Sequence, residues 1–130
     1  MLNPATGSLE FANAGHNPPV LVRASGEAEM PAGGGPVLGI LAGAPYSRQQ
    51  AHLDEGDMLV LYSDGVTEAH NAGFEEFGEA RFTAVLKQHR AGRAADIVNA
   101  VPRALAEFTA GAPQADDITL VVARRVAPGA

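Results

Sequence analysis

The sequence predicts an α+β domain in which an antiparallel sheet, built mostly from the first half of the chain, is covered by helices from the second half. Three observations carry this reading. Short apolar or alternating runs separated by turn residues fill the chain as far as Tyr62, apolar residues at helical spacing occupy Glu79–Thr109, and an apolar run returns at Ile118–Val122. With 130 residues, 46% of them apolar and 18% charged, the chain has the size and composition of one globular domain with a real core.

The elements follow in order. Asn3–Gly7 reads as a turn, and Leu9 and Phe11 then alternate with Ser8 and Glu10 as a short strand. The run Val20–Arg23, the turn Ala24–Glu27 and a weak return to Met30 make a hairpin, followed by a loop at Pro31–Pro36. A strand near Ser47–Leu53 leads into the acidic turn Asp54–Asp57 and the strand Met58–Tyr62. Phe82, Val85 and Leu86 then define a helix over Glu79–His89 with Gly92 as its stop signal. Ile97, Val98, Val101, Leu105 and Phe108 line one face of a second helix, Ala94–Thr109, and Pro102 inside it predicts a kink or a restart. The closing strand is Ile118–Val122, and no repeat, low-complexity tract or interdomain linker interrupts the chain.

Composition excludes several functions. The net charge of -6 and the scattered Lys and Arg argue against nucleic acid as a partner. No apolar run is long enough to cross a bilayer, and the start MLNPATGSLE has neither a basic flank nor a hydrophobic region, so no membrane partner is expected. Without cysteine there is no disulfide, thiolate metal site or thiol nucleophile, which is compatible with a cytoplasmic location.

Chemistry concentrates in two acidic stretches. In MLVLYSDGVTEA, Met58–Ala69, an apolar strand runs straight into Asp64, where a poorly solvated charge requires a hydrogen-bonding or cationic partner. ADDITLVVA, Ala115–Ala123, has the mirror arrangement, acids first and apolar run second. If the two strands are antiparallel members of one sheet, Asp64 and Asp116 or Asp117 converge at one edge. Carboxylates brought together repel unless a cation lies between them, and hard oxygen donors suit Mg²⁺ or Mn²⁺. The plainer alternative is that Asp64-Gly65 is a turn pair and that Asp116-Asp117 solvate the start of a strand.

The segments ANAGHNPPVLV, GPVLGI, DEGDMLVLYSDGVTEAHN, EEFGEARF and QADDITLVV resemble, in order and spacing, the metal-dependent protein serine/threonine phosphatases of the PPM or type 2C class. The resemblance runs from about Asn3 to Arg125 and is strongest to the SpoIIE-like bacterial branch, typified by the sporulation stage II protein E phosphatase domain. It implies an antiparallel β-sandwich flanked by helices, in α-β-β-α layers, with a two-metal site of Mn²⁺ or Mg²⁺ at one end. Asp64 matches the aspartate of the family's Asp-Gly motif and Asp116 that of its Asp-Asn/Asp segment, both metal ligands in the family; Gly65 belongs to the first motif and Asp117 to the surroundings of the ligands. The implied mechanism is direct attack on phosphorus by a metal-activated water, and the implied substrate is a phosphoserine or phosphothreonine protein, in this branch often an anti-sigma factor antagonist. The upstream Gly-Asp and Asp-Gly-His-Gly motifs of the family are not in this sequence, so residues 1–126 are expected to be a C-terminal part of such a domain, inactive alone, with 127–130 as a tail.

Other residues carry competing readings. His16 either reaches the site edge or is held by its own loop. Thr67, Glu68 and Asn71 follow Asp64 closely enough to shape the site mouth, with capping of the local turn as the alternative for Glu68. The glycines Gly33–Gly35 lack the strand, helix and lysine context of a phosphate cradle and read as a flexible surface loop. Arg81 and Arg90 either steer a phosphoprotein or are simply solvated. A non-catalytic interaction module on the same fold is the alternative function; a calcium-binding protein is disfavoured because no loop of alternating oxygen ligands is present.

Overall fold

The computed structural model describes residues 1–129. The elements are β1 (Ser8–Phe11), β2 (Val20–Val22), β3 (Ala28–Glu29), β4 (Gln49–His52), β5 (Met58–Tyr62), α1 (Asp64–Thr67), α2 (Gly78–Gln88), α3 (Ala94–Thr109) and β6 (Leu120–Arg124). Of the expected tail, Ala130 lies outside the described residues.

Strand periodicity sets the layers. In β2 and β5 the residues Val20, Val22, Met58, Val60 and Tyr62 point to one face and are buried there with Phe82 and Leu86 of α2 and Ile97, Val101 and Leu105 of α3. Leu21 and Leu59, one position out of phase, join Leu9 and Leu53 on the opposite face. The first set packs helices on the four-stranded antiparallel sheet β3-β2-β5-β6, and the second packs that sheet on the two-stranded sheet β1-β4. The result is the expected antiparallel sandwich with helices on the outside. Fully burying one such aliphatic side chain contributes roughly 1.5–3 kcal/mol, so these two clusters hold the fold together.

The start of β5 is fixed by charge. Asp57 is 3% exposed; its carboxylate accepts the N–H groups of Ala24 at 2.9 Å and Asp54 at 3.0 Å and a guanidinium N–H of Arg23 at 2.8 Å. Burial alone would raise this carboxyl, but the bonds from Ala24, Arg23 and Asp54 together hold it below the ordinary carboxylate range. Arg23 also pairs with Glu29, so one side chain clamps the β2–β3 hairpin to the turn before β5.

Three expectations need correction. Of the two outcomes expected at Pro102, the restart does not occur: α3 is continuous from Ala94 to Thr109. Pro102 is exposed, so the carbonyl that loses its helical donor there can be met by water. Val98 does not join the buried face; it is 42% exposed, while Ile97, Val101 and Leu105 form the buried stripe. The closing strand begins at Leu120 rather than Ile118 and runs on to Arg124, for a reason that lies in the site itself. Gly33–Gly35 lie in a surface loop, as expected; Gly35 donates to the Asn13 carbonyl at 2.8 Å, and a Cβ on Gly34 would lie 2.8 Å from that oxygen.

Candidate functional site

Strands β5 and β6 are antiparallel neighbours in the register Met58↔Arg124 to Tyr62↔Leu120. The exit of β5 and the entry of β6 therefore share one end of the sheet, as the mirrored acidic stretches require. Beyond the last ladder pair the two segments are joined by Ser63. Its N–H donates to the Thr119 carbonyl at 3.0 Å, its hydroxyl donates to the Asp117 carbonyl at 3.0 Å, and its oxygen accepts the Thr119 N–H at 2.9 Å. A serine side chain thus replaces the next rung of the ladder, which is why β6 proper starts only at Leu120.

At Asp64 the chain leaves the sheet and enters the short helix α1, an element that the Asp-Gly pair concealed as a simple turn. Gly65 is buried directly against the other acidic segment: a Cβ there would stand 2.3 Å from the Asp117 carbonyl oxygen and 3.4 Å from the Asp116 carbonyl carbon. Glycine is needed for this approach, which brings the start of α1 against the Asp116-Asp117 backbone at one sheet end. Contrary to the expected poor solvation, Asp64 is exposed, as are Asp116 and Asp117. No ion pair among the described residues involves any of the three.

The remaining candidates separate clearly. Thr67 donates its hydroxyl to the Asp64 carbonyl at 3.3 Å and Glu68 donates its backbone N–H there at 2.8 Å, so both tighten α1. Glu68 also lines, with Gly65 and Asp116, a cavity of about 400 Å³ that opens beside the acids. Asn71 organises the next turn through its side-chain oxygen. His16 stands apart from this cavity: it is tied to Asn13 through its own N–H and carbonyl, both at 2.8 Å, and borders a different groove beside Leu59 and Leu61. Arg81 is occupied by Glu75 and by the carbonyls of Glu76 and Phe77, and Arg90 by the Lys87 carbonyl. Sequence reasoning missed Ser63, whose signal was its place between an apolar strand and the Asp-Gly pair.

The donor chemistry at this end is hard oxygen, negatively charged and unpaired by protein cations, which fits one side of a divalent-cation site. No group of three or more potential His, Asp or Glu ligands converges among the described residues.

The sandwich and the paired acidic segments define the fold class of the PP2C phosphatase domains. The chain superimposes on the SiaA-PP2C domain of Pseudomonas aeruginosa with a TM-score of 0.80 and 25% identity, covering 92% of this chain and 47% of that one. It matches the Mn-presoaked phosphatase domain of the cell fate determinant SpoIIE from Bacillus subtilis with a TM-score of 0.74 at 19% identity, covering 97% and 54% of the two chains. Residues 1–126 match the family described as Stage II sporulation protein E (SpoIIE), and the chain belongs to that family. Among characterised relatives, phosphoserine phosphatase RsbU of Bacillus subtilis (strain 168) is 36% identical over 92 residues, 70% of this chain and 27% of that protein. Protein IcfG of Synechocystis sp. (strain ATCC 27184 / PCC 6803 / Kazusa) is 28% identical over 125 residues, 96% of this chain and 20% of that protein. The chain thus spans about a quarter or less of these two relatives and about half of the solved domains. None of its helices among the described residues is long and apolar enough to cross a membrane.

Proposed function

We propose that this chain contributes the Asp64 and Asp116 side of a metal-dependent phosphatase site acting on a phosphoserine or phosphothreonine protein in bacterial signalling, of the kind exemplified by an anti-sigma factor antagonist, in the cytoplasm. The observation that carries the reading is the fastening of the two acidic segments to each other by Ser63 and by the close approach of Gly65, in a chain of the SpoIIE family. Asp64 and Asp116 would hold Mn²⁺ or Mg²⁺. When bound, such cations acidify a water and offset the charge on the phosphoryl oxygens. The chain's own part is positional: Ser63 holds the β5 exit against Asp117, Gly65 lets α1 approach the second acidic segment, and Thr67 and the Glu68 backbone close α1 behind Asp64. Asp117 serves through its backbone carbonyl, which takes the Ser63 hydroxyl.

Two carboxylates cannot by themselves assemble the paired cations that clamp attacking and leaving oxygens. The 130 residues alone should therefore bind Mn²⁺ weakly and turn over phosphate monoesters barely or not at all, whereas a protein joining them to a complementary acidic half should show Mn²⁺-dependent release of phosphate from a phosphoserine protein. Asp64→Asn, which keeps shape and removes charge, should abolish that release and weaken Mn²⁺ binding measured by calorimetry. Activity that survives Asp64→Asn would reduce the residue to a structural role. The incomplete ligand set among the described residues also favours a second reading, a non-catalytic interaction module; Mn²⁺ binding that is absent from the joined protein would support it.

A further inference from the structure

The cavity beside the acids continues away from them along the C-terminal half of α3. Its floor is apolar, with Leu105 and Ile118, and its walls carry the rigid rings of Pro102 and Pro113. Glu68 and Glu76 stand on its rim, and neither takes part in an ion pair among the described residues. A second hollow of about 400 Å³ shares the His70 and Ala112–Ala115 walls and reaches Phe74.

Phe74 is the least ordinary residue of this surface. It is 82% exposed, yet its φ is 60°, a left-handed conformation that a bulky side chain rarely adopts. The turn that imposes it is closed on all sides: the Asn71 side-chain oxygen accepts the N–H groups of Gly73 at 2.9 Å and Glu75 at 3.1 Å, Phe74 donates to the Asn71 carbonyl at 3.0 Å, and Asn71 donates to the Glu75 carbonyl at 3.0 Å. The Phe74 ring stacks on His70 at 5.3 Å between centroids and an angle of 10°. Arg81, lying over Phe108, grips Glu75 and so anchors the turn to α2. A strained backbone that holds an aromatic ring out in solvent gains nothing for the core, which points to a contact made with another molecule.

We propose that these adjoining hollows are the subsite for the side chains next to the phosphorylated residue of a protein substrate: an apolar side chain enters the hollow lined by Phe74 and Pro113, and a neighbouring lysine or arginine meets Glu68 and Glu76 in the cavity beside it. The inference rests on the phosphatase reading above, since the groove shares Gly65 and Asp116 with the acid pair and a segment lying in it would bring its phosphate to those acids. Charge selects the occupant, because an acidic rim on a chain of net charge -6 repels an acidic segment and attracts a basic one.

The test is fluorescence-polarisation binding of short peptides to the chain with and without Mn²⁺. One peptide carries leucine and arginine beside the serine and another carries glycine and glutamate there, each in phosphorylated and unphosphorylated form. The leucine–arginine peptide should bind about tenfold more tightly in both forms, and Phe74→Asn, chosen because asparagine tolerates the left-handed backbone, should erase that preference, as should Glu76→Gln in part. A flank preference that is absent, or that survives Phe74→Asn, overturns the subsite even if phosphate adds Mn²⁺-dependent affinity. A flank preference in the chain with no Mn²⁺-dependent contribution from phosphate, once the chain is joined to a complementary acidic half, upholds the subsite and defeats the phosphatase reading. A Phe74-dependent dimer in sedimentation, without flank preference, assigns the surface to a second copy and overturns the proposal.

Discussion

Asp57 and Asp64 bracket the same strand and meet opposite environments. Asp57 is buried and receives three donors, and its stability contribution has a defined sign. Because its folded-state carboxyl sits below the ordinary range, the stabilisation is present above the unfolded value near 4 and is lost as pH falls through and below that value. Asp57→Asn should lower stability at neutral pH by on the order of 3 kcal/mol, and urea unfolding should show the gap to the unaltered protein shrinking below about pH 4. A gap independent of pH would assign the effect to shape rather than charge. Asp64, by contrast, is exposed and has no ion-pair partner among the described residues, and its neighbours rather than its own burial define it. Ser63→Ala should cost about 1–3 kcal/mol by leaving the Thr119 N–H and Asp117 carbonyl without their partner. Gly65→Ala should cost a similar amount by forcing the Asp116-Asp117 segment outward, and it should weaken Mn²⁺ binding in calorimetry while the α2 and α3 signals of circular dichroism persist.

At the scale of elements, α3 separates burial from pattern. Leu105 is 3% exposed, so Leu105→Ala should cost about 2–5 kcal/mol in chemical denaturation. Val98 is 42% exposed, so Val98→Ala should stay within about 0.5 kcal/mol. Both fit the same apolar helical spacing, and only the placement of the sheet distinguishes them. Pro102 gives the opposite test. The helix is already continuous around it, so Pro102→Ala restores a backbone donor within an existing helix and should raise stability by about 1–3 kcal/mol. A variant no more stable than the parent would show that the proline ring packs well enough along the groove to offset the missing bond.

For the whole molecule the notable surface is the loop between β3 and β4. Val37, Leu38, Ile40 and Leu41 are 49%, 69%, 77% and 61% exposed, and they lie within five consecutive positions. Leu61 and Val121, paired across β5 and β6, add 41% and 52% exposed side chains on the sheet face away from the helices. Contiguous apolar surface of this kind drives association. The isolated chain should self-associate in sedimentation at micromolar concentration, and the double substitution Leu38→Asp and Ile40→Glu should return it toward a monomer with little change in unfolding midpoint. A parent chain that stays monomeric would show that the loop folds over its own apolar residues in solution.

Periodicity and punctuation by themselves determined most of the elements. The alternation in Ser8–Phe11, the hairpin around Gly26, the run Met58–Tyr62 and the span Ala94–Thr109 are local matters of side-chain spacing and turn chemistry, and they recur in the structure with those bounds or nearly so. The mirrored order of acids and apolar runs even located Asp64 and Asp116 at one sheet end, because antiparallel neighbours must exchange exit and entry. Tertiary structure alone decided the rest. That Val98 falls outside the buried face of α3, that Pro102 tolerates a continuous helix, that Ser63 supplies the last rung between β5 and β6, and that Phe74 is held out beside the acids are all set by groups distant in sequence or by solvent access. Local spacing carries no information about those, since a hydrogen bond from residue 63 to residue 117 exists only after the strands have paired.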